Sequence, residues 1–99
     1  MDKSEFTAFI AKVPKAEIHI HIEAVITLDS VKKLYKKRFG NEMSTEDQTA
    51  LFSYDDLNGF IKAFLQVQDL FTSVDDFDLV FDDLANYLLK NGVTYCEAF

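Results

Sequence analysis

The spacing of apolar positions changes along the chain, and each change predicts an element. Phe6, Phe9, Ile10 and Val13 recur at i, i+3, i+4 and i+7, which predicts a helix over 4–13 with Ser4 as its cap. Pro14 stops that helix and pushes Val13 toward an extended backbone. From 16 to 22 the period becomes two. Ile18, Ile20 and Ile22 alternate with Glu17, His19, His21 and Glu23, which predicts a strand with isoleucines on one side and polar groups on the other. Val31, Leu34, Tyr35 and Phe39 return to helical spacing over 28–39. Thr27 caps that helix, Lys36, Lys37 and Arg38 crowd its negative end, and Gly40 stops it. The polar residues 41–49 predict a loop or a short broken helix. Ser53-Tyr54-Asp55-Asp56 has the form of a capping box ahead of Leu57, Phe60, Ile61, Phe64 and Phe71, a helix over 56–71. Ser73-Val74-Asp75-Asp76 repeats that form ahead of Phe77, Val80, Phe81, Leu84 and Leu88, a helix ending at Asn91-Gly92. Residues 93–99 read as a second strand.

Strand, helical crossover and strand in that order imply parallel pairing and an α/β class. The 99 residues suit one domain. Two parallel strands do not make a stable sheet alone, and the sequence stops on Phe99 within the second. The expectation is therefore the opening portion of a larger α/β protein. Apolar helix faces and unpaired strand edges left uncovered predict self-association into a homo-oligomer.

Composition narrows the partners. At 48 % hydrophobic residues the chain can form a core. Its net charge of −7 lies wholly in residues 51–99, and a chain this acidic predicts no nucleic-acid partner and no anionic membrane partner. No apolar run approaches the ~20 residues of a membrane span, and residues 1–13 lack a signal-peptide core, so a cytoplasmic location is expected. The single cysteine, Cys96, cannot form an internal disulfide.

The candidate chemistry sits on the first strand. His19 and His21, the only two histidines, fall on one face about 7 Å apart along the strand. Neutral imidazole is a common zinc ligand, yet catalytic zinc takes about three protein ligands plus water. Taken alone, His-x-His leaves a metal pair and a merely wet polar face both open. His21-Ile22-Glu23 also matches half of a cytidine-deaminase signature, but the Pro-Cys-x-x-Cys which that site requires is missing. Cys96 reads as inert packing within an apolar strand. Glu97, sharing a face with Tyr95 and Phe99, reads as structural. Asp75, Asp76, Asp78, Asp82 and Asp83 read as a solvated helix face matched to the helix dipole, without the glycine-containing oxygen-ligand loop of a calcium site.

The string Pro14-Lys15-Ala16-Glu17-Ile18-His19-Ile20-His21-Ile22-Glu23 resembles the opening motif of the adenosine deaminase family, a branch of the metal-dependent amidohydrolases. Leu57-Asn58-Gly59-Phe60-Ile61-Lys62-Ala63-Phe64 is similar to that family's helical segment over the active-site mouth, and Asn91 to Phe99 to its second strand. The Glu after the histidines and the Tyr-Cys-Glu-Ala-Phe ending lean toward its adenine and aminofutalosine deaminase members. The resemblance implies the N-terminal portion of a (β/α)8 TIM barrel with its site at the C-terminal ends of the strands. It implies zinc held by His19 and His21, substrate contact from Glu23, and an apolar gate from Leu57, Phe60 and Ile61 over a small aminopurine substrate. The implied reaction is hydrolytic deamination, with water attacking the amino-bearing ring carbon and ammonia leaving. The family's remaining ligands and proton-shuttling groups have no counterpart within these 99 residues, so the resemblance implies that the chain alone is inactive. Where the family pattern has Gly after the acid, this sequence has Ala24.

Overall fold

Pro14 separates the first two elements of the molecule. A computed structural model describes residues 1–99. Helix α1 spans Lys3–Lys12 and strand β1 spans Lys15–Ile20. A short 3-10 turn follows at Ile22–Val25, then helices α2 (Leu28–Phe39), α3 (Thr45–Leu51) and α4 (Leu57–Gln68). A second 3-10 turn, Val74–Asp76, leads into α5 (Phe77–Lys90), and strand β2 (Val93–Ala98) completes the order. The class is α/β: β1 and β2 pair in parallel as a two-stranded sheet, with α2 to α5 in the crossover between them. No helix is long and apolar enough to cross a membrane.

The predicted stops and caps explain most boundaries, with three corrections. Thr27 caps α2 by accepting a hydrogen bond from the Ser30 amide, and Gly40 ends it in the left-handed conformation at φ 81°. Asp2 rather than Ser4 caps α1, accepting from the Glu5 amide at 2.8 Å. Asp56 rather than Ser53 caps α4, accepting from the Gly59 amide at 2.8 Å. Residues 45–51 form a helix because Ser44 caps it through the Asp47 amide, with Glu46 and Asp47 in the first turn. The Ser73 capping box is present but serves the 3-10 turn that precedes α5.

One core sits among the helices. Ile26, Val31, Leu34, Met43, Leu51, Val67, Leu70 and Val80 are buried together, with Ile22, Tyr35, Ala63, Phe71 and Leu79 packed around them. Phe39 and Phe81, expected on buried stripes, are more than half exposed. Helix α1 buries no residue, and α4 buries Val67 while Leu57, Phe60 and Ile61 remain on an exposed face.

Two acids read as solvated are buried clamps. Asp83 Oδ2 accepts from the Thr27 amide at 2.8 Å and from Thr27 Oγ1 at 3.1 Å, tying the start of α2 to the middle of α5. Asp76 Oδ2 accepts from the Thr72 amide at 2.7 Å, Thr72 Oγ1 at 3.2 Å and the Ser73 amide at 3.1 Å, while Oδ1 pairs with Lys37 of α2. The Lys37 ammonium, then the Thr72 amide, hold the Asp76 carboxyl down at about 2. A buried carboxylate persists only when so many donors replace water.

The expected alternation of β1 is interrupted. Ile18, placed by the period of two with Ile20, is 70 % exposed while Ile20 is 6 % exposed. The register explains it. Glu17 pairs with Cys96 and Ile20 with Ala98, so β1 takes three steps where β2 takes two. That extra residue is a bulge at 18–19, and a bulge breaks the phase of the side chains on either side of it.

Candidate metal centre

His19 lies near the end of β1, and His21 lies just past it with an extended backbone (φ −82°, ψ 125°) before the chain enters the first 3-10 turn. Two backbone bonds bracket His21. The Phe99 amide donates to Ile20 O at 2.8 Å, and the Ile22 amide donates to Phe99 O at 3.0 Å. The end of β2 therefore fixes the end of β1 from both sides.

The two imidazoles stand side by side. Their ring centroids are 4.9 Å apart at an interplanar angle of 81°, and the two Nε2 atoms are 3.2 Å apart. At that separation one ring nitrogen can donate to the other, or both lone pairs can converge on one cation. Two nitrogens each about 2.0–2.1 Å from a tetrahedral zinc stand about 3.3 Å apart, so the pair has the spacing of a chelate. Both rings are exposed on this face. No group of three His, Cys, Asp or Glu side chains converges here or elsewhere in the chain.

Phe99 and Phe64 frame the pair. The Phe99 ring lies 4.8 Å from His19 and 6.1 Å from His21, and Phe64 of α4 lies 6.1 Å from His21, edge to face. Neither was among the site residues expected from the sequence. Phe64 lay on the same stripe as Phe60. Phe99 becomes a neighbour only through the parallel register, which no local pattern displays.

Glu23 occupies the 3-10 turn after His21 and is half-buried. With Ala24, Ile26, Phe60, Phe64 and Val67 it lines a pocket of about 120 Å³. Ala24, the departure from the family pattern, thus stands on the wall of the pocket beside Glu23. The structure brings Glu23 and Phe60 together there; Leu57 and Ile61 are not on its wall and face outward from α4. A larger cavity of about 660 Å³ between α2, α3 and α4 contains none of the expected site residues.

The flanking polar groups are structural. Tyr95 Oη donates to Glu97 at 2.7 Å, and this carboxylate pushes the Tyr95 phenol up. Tyr87 Oη of α5 donates to Glu17, which likewise raises the Tyr87 phenol. Cys96 is free and half-buried.

The curated proteins that match this chain are deaminases. An aminodeoxyfutalosine deaminase of Streptomyces avermitilis is 30 % identical over 92 residues, which is 91 % of this chain and 26 % of that protein. An adenine deaminase of a Chelativorans species is 27 % identical over 85 residues, covering 86 % and 26 %. An N6-methyl-AMP deaminase of Bos taurus is 27 % identical over 94 residues, covering 92 % and 26 %. The expected resemblance to the adenosine deaminase family holds, and the chain matches an N-terminal fragment of that family. It spans about a quarter of the length of the curated relatives it matches. No family model matches it, and no solved structure matches it significantly.

Proposed function

We propose that this chain carries the first part of the metal and substrate site of a zinc-dependent, purine-type deaminase built on a (β/α)8 barrel. The observation that carries the reading is the 3.2 Å separation of the His19 and His21 Nε2 atoms, which suits a chelated ion. His19 and His21 would hold the zinc. When bound, zinc supplies a water whose pKa is lowered to near 7 for attack on an amino-bearing ring carbon. The chain's own residues bind and orient. Glu23 offers a carboxylate to polar groups of the substrate. Phe60 and Phe64 offer ring faces to a flat heterocycle, with Leu57 and Ile61 on the same outward side of α4 as a gate. The named substrates of the relatives support a small aminopurine, from adenine to aminodeoxyfutalosine, as the substrate class. A cytoplasmic location belongs to the same reading, as does the inactivity of these 99 residues by themselves, since two imidazoles leave an ion largely hydrated.

Two measurements test this. The full-length protein, loaded with zinc, should release ammonia from adenine, adenosine or aminodeoxyfutalosine; no release from any of them rejects the reading. His19→Ala should weaken zinc binding by about 10-fold or more in a chelator competition, and unchanged affinity removes the pair from the site.

A second reading is favoured by the exposed apolar side chains. Phe6 and Phe9 of α1 are each 54 % exposed and Leu57 is 70 % exposed. By this reading the chain is a self-associating module without catalysis. A folded monomer in size-exclusion chromatography rejects it.

A further inference from the structure

We infer that Tyr87 is a positioning residue for the histidine pair, acting through Glu17. In a regular strand Glu17, His19 and His21 share one side. Here they do not. Glu17 reaches across to the Tyr87 hydroxyl on α5, while His19 and His21 turn toward Phe99 and Phe64. What separates them is the bulge at 18–19, the point at which β1 carries one residue more than β2. The phenol–carboxylate bond is the one hydrogen bond between β1 and α5, and it joins residues 70 apart in sequence. Glu17 and Tyr87 are both half-buried where they meet.

The bulge has a geometric consequence for the rings. Side chains two apart on a regular strand repeat at about 7 Å, yet the imidazole centroids are 4.9 Å apart and their Nε2 atoms 3.2 Å. A bulge bends the strand and increases its twist, which re-aims the side chain it carries. His19 is that side chain. Holding Glu17 on the α5 side keeps the extra residue between Glu17 and Ile20, and so keeps His19 tipped onto His21. Released, the strand relaxes to regular alternation, returning Glu17 to the histidine side and opening the ring pair toward the 7 Å repeat. Tyr87 touches neither imidazole, so its effect passes entirely through the backbone of β1. The zinc consequence rests on the proposed function; the ring geometry does not.

The test uses the full chain with Tyr87→Phe, Glu17→Ala and Glu17→Gln. The phenylalanine variant deletes only the hydroxyl, the alanine variant deletes the acceptor from the strand instead, and the glutamine variant keeps an oxygen that accepts the same bond. Through-space NMR contacts between the His19 and His21 ring protons report the geometry without metal. Zinc affinity is then read by chelator competition with Zn2+ alone. Tyr87→Phe and Glu17→Ala should lose the ring contact and weaken zinc about tenfold or more, while Glu17→Gln keeps the contact. Either deletion variant, folded by circular dichroism and retaining the ring contact, overturns the inference. Should Tyr87→Phe not fold, Glu17→Ala decides alone. If the unsubstituted chain binds no zinc, the metal reading fails while the ring contacts still decide the role of Tyr87.

Discussion

Replacing Asp76 with asparagine removes one charge from a buried junction and leaves its shape. In the folded chain the carboxylate accepts from two amides and one hydroxyl and pairs with Lys37, and its pKa falls from 3.8 to about 2. A carboxyl depressed on folding contributes stability that is complete above pH 3.8 and is lost as pH falls through about 2. The full shift corresponds to about 2.4 kcal/mol. Lys37 is half exposed, so solvent screens the pair, and about 1–2 kcal/mol is the expected contribution at neutral pH. The amide of asparagine keeps an oxygen for the Thr72 and Ser73 amides, so the lost part is the charge. Urea unfolding of both proteins at pH 7, 4 and 2 at low protein concentration measures it. Asp76→Asn should be less stable by about 1–2 kcal/mol at pH 7, equivalent to a Tm lower by about 4–16 °C for a chain of this size. The gap should close as pH approaches 2. An equal gap at all three values, or none at pH 7, refutes the electrostatic account.

Other substitutions probe separate parts of the fold. Asp83→Ala removes the buried, charged acceptor of the Thr27 amide and hydroxyl and should cost about 1–3 kcal/mol, read by the same unfolding assay. Gly59→Ala should destabilise despite alanine's better helix propensity. Its Cβ would sit 2.9 Å from Tyr54 Cβ, so Tyr54 must shift beside the Asp56 cap; a rise in Tm contradicts this. Leu34→Ala, at the centre of the core, should cost about 2–5 kcal/mol in the unfolding assay.

Local patterns carried the element order, the parallel α/β class, the Thr27 cap, the Gly40 stop and the side-by-side placement of His19 and His21. Each depends on near neighbours in sequence, which is why it was legible. What was not legible depends on partners far along the chain. The 18–19 bulge exists only relative to the register of β2, so Ile18 was placed on the wrong side. Asp83 read as solvated because its donor, Thr27, lies on another element. Asp76 carried a local signal in the Ser73 box, but its burial against Lys37 did not follow from that signal. Phe99 joins the histidines for the same reason, and the expected gate residues Leu57 and Ile61 were on a stripe whose periodicity does not say whether core or solvent faces it.

The parallel pairing of β1 with β2 has a kinetic consequence. Most of the chain separates the two strands, and closing a loop of about 70 residues carries an entropic cost of order 4 kcal/mol. Local helices can form and pack before such a closure is rewarded. The strand pair therefore completes late in folding, and with it the backbone bonds that bracket His21. An imidazole pair assembled last cannot nucleate the structure around an ion, so metal should be captured by a chain already folded rather than guide its folding.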